Sequence, residues 1–164
     1  MSKISGIIVP SAKDEPVKLV EFDQGDVTYI QRVVDGWVQV LDLPQVGATL
    51  WCNEEGLIQD LEPNRRASLL SWSNLDIYCR TIPIRGNVLI TGQPDDVGRT
   101  TTVPAELAEL ITKTNHFKVE VRAINEETWH GNLMRFTTYW SAAEYGLNLA
   151  SRWALVEAIR VIAA

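Results

Sequence analysis

The sequence predicts an α+β fold: a mostly antiparallel sheet covered by two or three helices, with a C-terminal strand–helix extension. Three observations carry this reading. Candidate elements run strand, strand, helix, strand, strand, an order that does not build a doubly wound parallel sheet. Residues 117–124 alternate strictly between apolar and polar side chains, as a strand with one wet face requires. Ser141-Ala142-Ala143-Glu144 matches a capping box, in which serine and glutamate satisfy each other's free backbone donors at a helix start.

The chain of 164 residues is long enough for one full core, or one domain with a substantial appendage. At 46% hydrophobic and 22% charged it has ordinary globular usage, which argues against intrinsic disorder. A net charge of −6 repels phosphate backbones at long range and argues against nucleic acid as a partner. Cys52 and Cys79 each lie in an apolar or aromatic run, as buried thiols do, and two cysteines make no disulfide framework. No apolar run approaches the roughly 20 residues of a membrane span. The expected address is a reducing cytoplasm.

Taken in order, Ile4–Val9 is a β-branched run closed by Pro10, a first strand, and Val17–Phe22 gives a second. Asp26 is placed to cap a helix running to Val34, with Val27, Ile30 and Val34 as its buried stripe and Asp35-Gly36 as its end. Trp37–Leu43 alternates as a strand and stops at Pro44, and Ala48–Cys52 is the next. Asn53-Glu54-Glu55-Gly56 reads as a hairpin-like turn, with Gly56 supplying a positive φ and Leu57-Ile58 resuming on the far side. After Pro63-Asn64, a short helix begins at Arg65.

Ser71–Ile82 has apolar residues, among them Ile77 and Tyr78, without a clean period. Val88–Gly92 is a strand, Gln93–Thr101 a polar loop, and Pro104 the first residue of a helix whose face is Leu107, Leu110 and Ile111. Thr128–Tyr139 reads as a strand broken at Gly131. Beyond the capping box, Leu149, Trp153, Val156 and Ile159 continue a helical stripe, with Trp140 and Tyr145 as a hydrophobic staple. So wide an apolar surface calls for two partners, which makes this helix a candidate homodimer contact. The expected domains are 1–113 and 114–164.

The most distinctive local text is Asn53-Glu54-Glu55-Gly56, then Pro63-Asn64-Arg65-Arg66-Ala67, then Ile84-Arg85-Gly86-Asn87 leading into Val88–Gly92. On these residues, and on Gly36-Trp37-Val38-Gln39-Val40 and Pro104-Ala105-Glu106, the chain resembles domain-of-unknown-function family 3846 across residues 4 to 112. The resemblance implies a compact domain of bacteriophages and actinobacterial mobile elements. It brings no assigned activity and no catalytic residue.

The residues themselves offer little chemistry. His116 and His130 have no metal-ligand spacing around them, so no metal is expected. Neither cysteine stands at an elbow or helix start that would activate it. The adjacent carboxylates Glu54/Glu55, Asp95/Asp96 and Glu126/Glu127 point apart in turns, and no nucleotide fingerprint is present. No cofactor and no catalytic residue are expected. Arg65 and Arg66, beside Asn64, could clamp an anion, or one could pair with Glu54 or Glu62 while the other is solvated. Of the six tryptophans, Trp37, Trp51 and Trp153 fall on inward patterns, whereas Trp72, Trp129 and Trp140 flank turns and are candidate partner anchors. The expectation is a phage-derived, non-enzymatic protein that binds and modulates a host protein. The alternative is a binder that sequesters a nucleotide-type signal through Asn64, Arg65 and Arg66.

Overall fold

Local chemistry starts and stops the first helix. Asp26 Oδ1 accepts from the Tyr29 amide at 3.0 Å, satisfying one of the orphan donors of α1 (Val27–Val34). Asp35 closes the helix in the left-handed region at φ 62°. Ile30 and Val34 are its buried residues, while Val27, expected on the same stripe, is 53% exposed because it sits on the first turn.

The computed structural model describes residues 2–75 and 83–164, so Ile77, Tyr78 and Cys79 lie outside the described residues. These residues form two compact units, 2–68 with 83–108 and 69–75 with 109–164.

In the first unit, β1 (Lys3–Val9), β2 (Lys18–Asp23), β3 (Val38–Leu43), β4 (Ala48–Asn53) and β5 (Val88–Gly92) make a five-stranded antiparallel sheet in the order β2-β1-β5-β4-β3. Pro44 opens a single 3-10 turn, Pro44–Val46, and Gly47 at φ 67° returns the chain so that Leu43 pairs with Ala48. Helix α1 packs on one face, where Ile30 meets Ile4, Phe22 and Leu89, and the Phe22 and Tyr29 rings stack at 4.7 Å. Gly6 lets β1 and β5 come together there, since a Cβ would stand 3.0 Å from both the Ile90 carbonyl oxygen and Leu89 Cδ1. Trp51 borders this core and donates its indole N–H to Thr91 Oγ1 at 2.9 Å.

The turn after β4 differs from the expectation. Leu57 and Ile58 do not resume a strand but stand out of a multiple turn, 73% and 84% exposed. The positive φ falls at Asp60, 54°, and not at Gly56. Gly56 is there for space: a Cβ would lie 3.1 Å from Arg85 Cβ. Helix α2 (Arg65–Ser73) follows, then β5 and α3 (Ala105–Thr112), which starts one residue after Pro104 and buries Leu107.

In the second unit, β6 (Phe117–Ala123) is the centre of a three-stranded antiparallel sheet, order β7-β6-β8, with β7 (His130–Gly131) and β8 (Val156–Ala163). Helix α4 (Tyr139–Arg152) packs on one face. Gly146 permits that approach, for a Cβ would lie 2.8 Å from Ile159 Cδ1 and 3.1 Å from Val119 Cγ1. Residues 128–138 hold only the two-residue strand β7 and an isolated bridge between Phe117 and Phe136, not a long broken strand, and Tyr139 already belongs to α4.

The C-terminal helix is shorter than its apolar stripe suggests. Its N-cap is Thr138, whose Oγ1 accepts from the Ser141 amide at 3.0 Å, so Ser141 is inside the helix and does not cap it. It ends at Arg152, and residues 156–163 form β8 against the whole length of β6. Val156, Ile159 and Val161 fit a helical stripe and a strand face alike, because a bulge at Arg122/Ala123 shifts Val156 onto the face of the other two. Pairing with β6 decides for the strand. The single wide apolar helix proposed as a homodimer contact is therefore a helix and a strand packed on each other. Among the described residues no helix is long and apolar enough to cross a membrane.

Candidate interaction surfaces

The anion-binding candidates come first. Asn64 is 1% exposed, and its side chain bonds to backbone groups. Its Nδ2 donates to the carbonyl oxygens of Val9 and Gly86 at 2.8 and 2.9 Å, and its Oδ1 accepts from the Ala67 amide at 3.0 Å. Asn64 thus ties the start of α2 to the end of β1, and both of its amide hydrogens are spent on backbone carbonyls. Arg66 Nη2 donates to the carbonyl oxygens of Pro10, Ala12 and Glu15 at 2.9, 3.0 and 2.7 Å. That guanidinium holds the β1–β2 connection. Burial lowers its pKa from the usual arginine value, with Glu15 opposing. Arg65, the preceding residue, is exposed. Of the two arginines, Arg66 is thus committed to backbone carbonyls.

The tryptophans divide differently from the expectation. Trp129 is half-buried beneath two guanidiniums, with Arg160 at 4.3 Å and Arg122 at 5.6 Å from the ring centre. Arg160 also chelates Glu120 Oε1 at 2.6 and 2.9 Å, and Arg122 pairs with Glu157 at 3.1 Å. Trp129 caps a charged ladder on the sheet. Trp140 is half-buried against the edge of Tyr139, ring centres 5.1 Å apart, and Trp72 is half-buried on α2. Trp37 and Trp153, expected in the core, are 66% and 58% exposed. Only Trp51 of the inward set borders a core.

Trp153 marks a feature that sequence reasoning missed. It is the C-cap of α4, in extended backbone, and the corner that follows exposes Leu155 at 72%. The Ile124 amide donates to the Leu155 carbonyl oxygen at 2.8 Å, which brings Ile124, itself 48% exposed, to the same corner. Arg152, Trp153, Ala154 and Leu155 line an open depression of about 390 Å³. The signal was present as Trp-Ala-Leu-Val following Arg152, but it read as a continuation of the helix.

Among the described residues, the titratable groups do not gather into a reaction centre. The Cys52 thiol is buried, 3.7 Å from the Gln39 carbonyl oxygen, and burial pushes its pKa up to about 11, the reverse of nucleophile activation. His130 Nε2 lies 3.6 Å from Glu126 on the surface. Among the described residues no three His, Cys, Asp or Glu side chains gather as metal ligands.

A family model, Domain of unknown function (DUF3846), matches residues 4–116. The chain belongs to the DUF3846 family. No curated protein and no solved structure matches it. The DUF3846 match ends at the residue before β6. It thus contains Asn64, Arg65, Arg66 and Trp72, whereas Trp129, Trp140 and the corner at Trp153–Leu155 lie beyond it.

Proposed function

We propose that this DUF3846 protein is a non-enzymatic interaction protein that binds and modulates a host protein, and that the corner between α4 and β8 carries the contact. The observation behind this is Trp153 and Leu155, exposed two residues apart in backbone that the Ile124–Leu155 hydrogen bond holds in place. A large aromatic ring offers contact area at little entropic cost, and aromatic anchors dominate interface energetics. An ordered apolar corner is favoured as a contact over a mobile one, because less freedom is lost on binding. The bacteriophage setting that the family resemblance implies supplies the partner class, a protein of the infected cell. Half-buried Trp129 and Trp140 lie in the same unit but away from this corner, Trp129 against Arg160 and Arg122 and Trp140 in the first turn of α4.

The test is affinity capture of the full chain from an actinobacterial lysate, followed by native mass spectrometry. A polypeptide at fixed stoichiometry is expected with the parent chain and is lost with Trp153→Ser/Leu155→Ser, whose exposed positions leave the fold intact by circular dichroism. Equal recovery with parent and variant, or no stoichiometric partner, overturns the reading.

A further inference from the structure

The other end of exposure in the molecule is the turn between β4 and α2, in the first unit. Leu57 and Ile58 project from it, and their exposure does not come from a loose loop. The Gln59 amide donates to the Glu55 carbonyl oxygen at 2.8 Å, the Asp60 amide to Leu57 at 3.1 Å and the Leu61 amide to Gly56 at 2.9 Å. Buried Asn53 anchors the entrance, accepting from the Glu55 amide at 2.7 Å and donating to Gln59 Oε1 at 3.3 Å. Arg85 anchors the exit through the Leu61 carbonyl oxygen at 3.0 Å. The turn is a built platform that presents two aliphatic side chains to solvent.

Its flanks are acidic. Glu54, Glu55, Asp60 and Glu62, on either side of the aliphatic pair in sequence, are all exposed, and Arg85 pairs with Asp60 at 3.7 Å. The first unit holds 14 acidic and 8 basic residues, which accounts for the whole net charge of −6, while the rest of the chain holds 7 of each. An apolar centre in a negative field selects its occupant by charge. A second copy of the chain would bring the same carboxylates to face themselves, and nucleic acid or an anionic lipid surface would be repelled.

We infer that Leu57 and Ile58, flanked by Glu54, Glu55, Asp60 and Glu62, form a docking element for a basic amphipathic helix of a partner protein. Such a helix offers an apolar stripe for the aliphatic pair and Lys or Arg on both flanks for the carboxylates. This surface is separate from the α4–β8 corner and does not depend on it.

The probe is a synthetic amphipathic helix of leucine and lysine, titrated by calorimetry into the full chain at low salt. Saturable binding at one site is expected, weakening as salt screens the flanking carboxylates. Leu57→Ser/Ile58→Ser should weaken it about tenfold or more, Glu54→Gln/Glu55→Gln should flatten its salt dependence, and Leu133→Ser should change nothing. Circular dichroism establishes that each variant is folded. Absence of saturable binding, or parental affinity in the Leu57→Ser/Ile58→Ser chain, overturns the inference. So does a concentration-dependent dimer that the same variant abolishes, since the occupant would then be a second copy. Trp153→Ser/Leu155→Ser should leave this titration unchanged, so the two surfaces stand or fall separately.

Discussion

The Arg160 guanidinium lies 4.3 Å above the Trp129 ring while it holds Glu120 Oε1 at 2.6 Å, so one cation serves a π face and a carboxylate together. A cation over an indole is worth about 1 kcal/mol at a partly exposed site. Trp129→Ala should therefore lower the thermal midpoint by roughly 2–4 °C, with Trp129→Phe recovering part of the loss. Thermal unfolding by circular dichroism checks this. An unchanged midpoint would mean that the ring is held for a partner and not for the fold.

Asn64 joins elements far apart in sequence. Asn64→Ala leaves the carbonyl oxygens of Val9 and Gly86 without this donor and removes a cap acceptor, a loss of about 3 kcal/mol or more. Asn64→Asp keeps the cap but turns a carboxylate oxygen toward two carbonyls, so it should be no better than alanine. Urea unfolding reads both. Rescue by aspartate would reduce the residue to a simple N-cap.

Arg66 gives a prediction that separates a structural cation from an anion clamp. Arg66→Ala should speed amide hydrogen exchange in residues 11–16 about tenfold, because three carbonyl contacts to the β1–β2 connection are lost. Protection of that segment equal to the parent's, together with loss of heat from a nucleotide titration, would restore the clamp.

Cys52 predicts an alkaline loss of stability. The unfolded thiol ionises near pH 8.5, whereas the buried thiol keeps its proton to about 11. Across that window the native state binds the extra proton, so unfolding stability falls as pH rises. The contribution is intact below pH ~8.5 and roughly 3 kcal/mol of it is gone by pH ~11. Other groups titrate there too, so the measurement is the difference in urea midpoint against pH between the parent chain and Cys52→Ala. Parallel curves would show that Cys52 ionises in place.

The parts of the fold that could be read from sequence are those decided within one turn or one strand. Asp26 and Asp35 punctuate α1 by contacts three to five residues away, and the alternation of β6 needs no knowledge of its partners. Residues 153–163 failed because their apolar spacing fits two periods, and the choice rests on β6, more than thirty residues earlier. The surroundings of the candidate site were hidden for the same reason. Asn64 and Arg66 look like surface polar residues in a turn, yet their acceptors lie about fifty residues upstream, at Val9, Pro10, Ala12 and Glu15. Trp153 read as core because a helix was drawn through it.

Strand order also sets a timetable for synthesis. With β5 between β1 and β4, a nascent chain that has not yet reached Val88 holds the β1–β2 and β3–β4 hairpins with no hydrogen-bonded strand to join them. Two-stranded hairpins are marginal in water on their own. The five residues of β5 are therefore the keystone laid last, and a ribosome stalled before them would display two open sheet edges that the finished protein never shows.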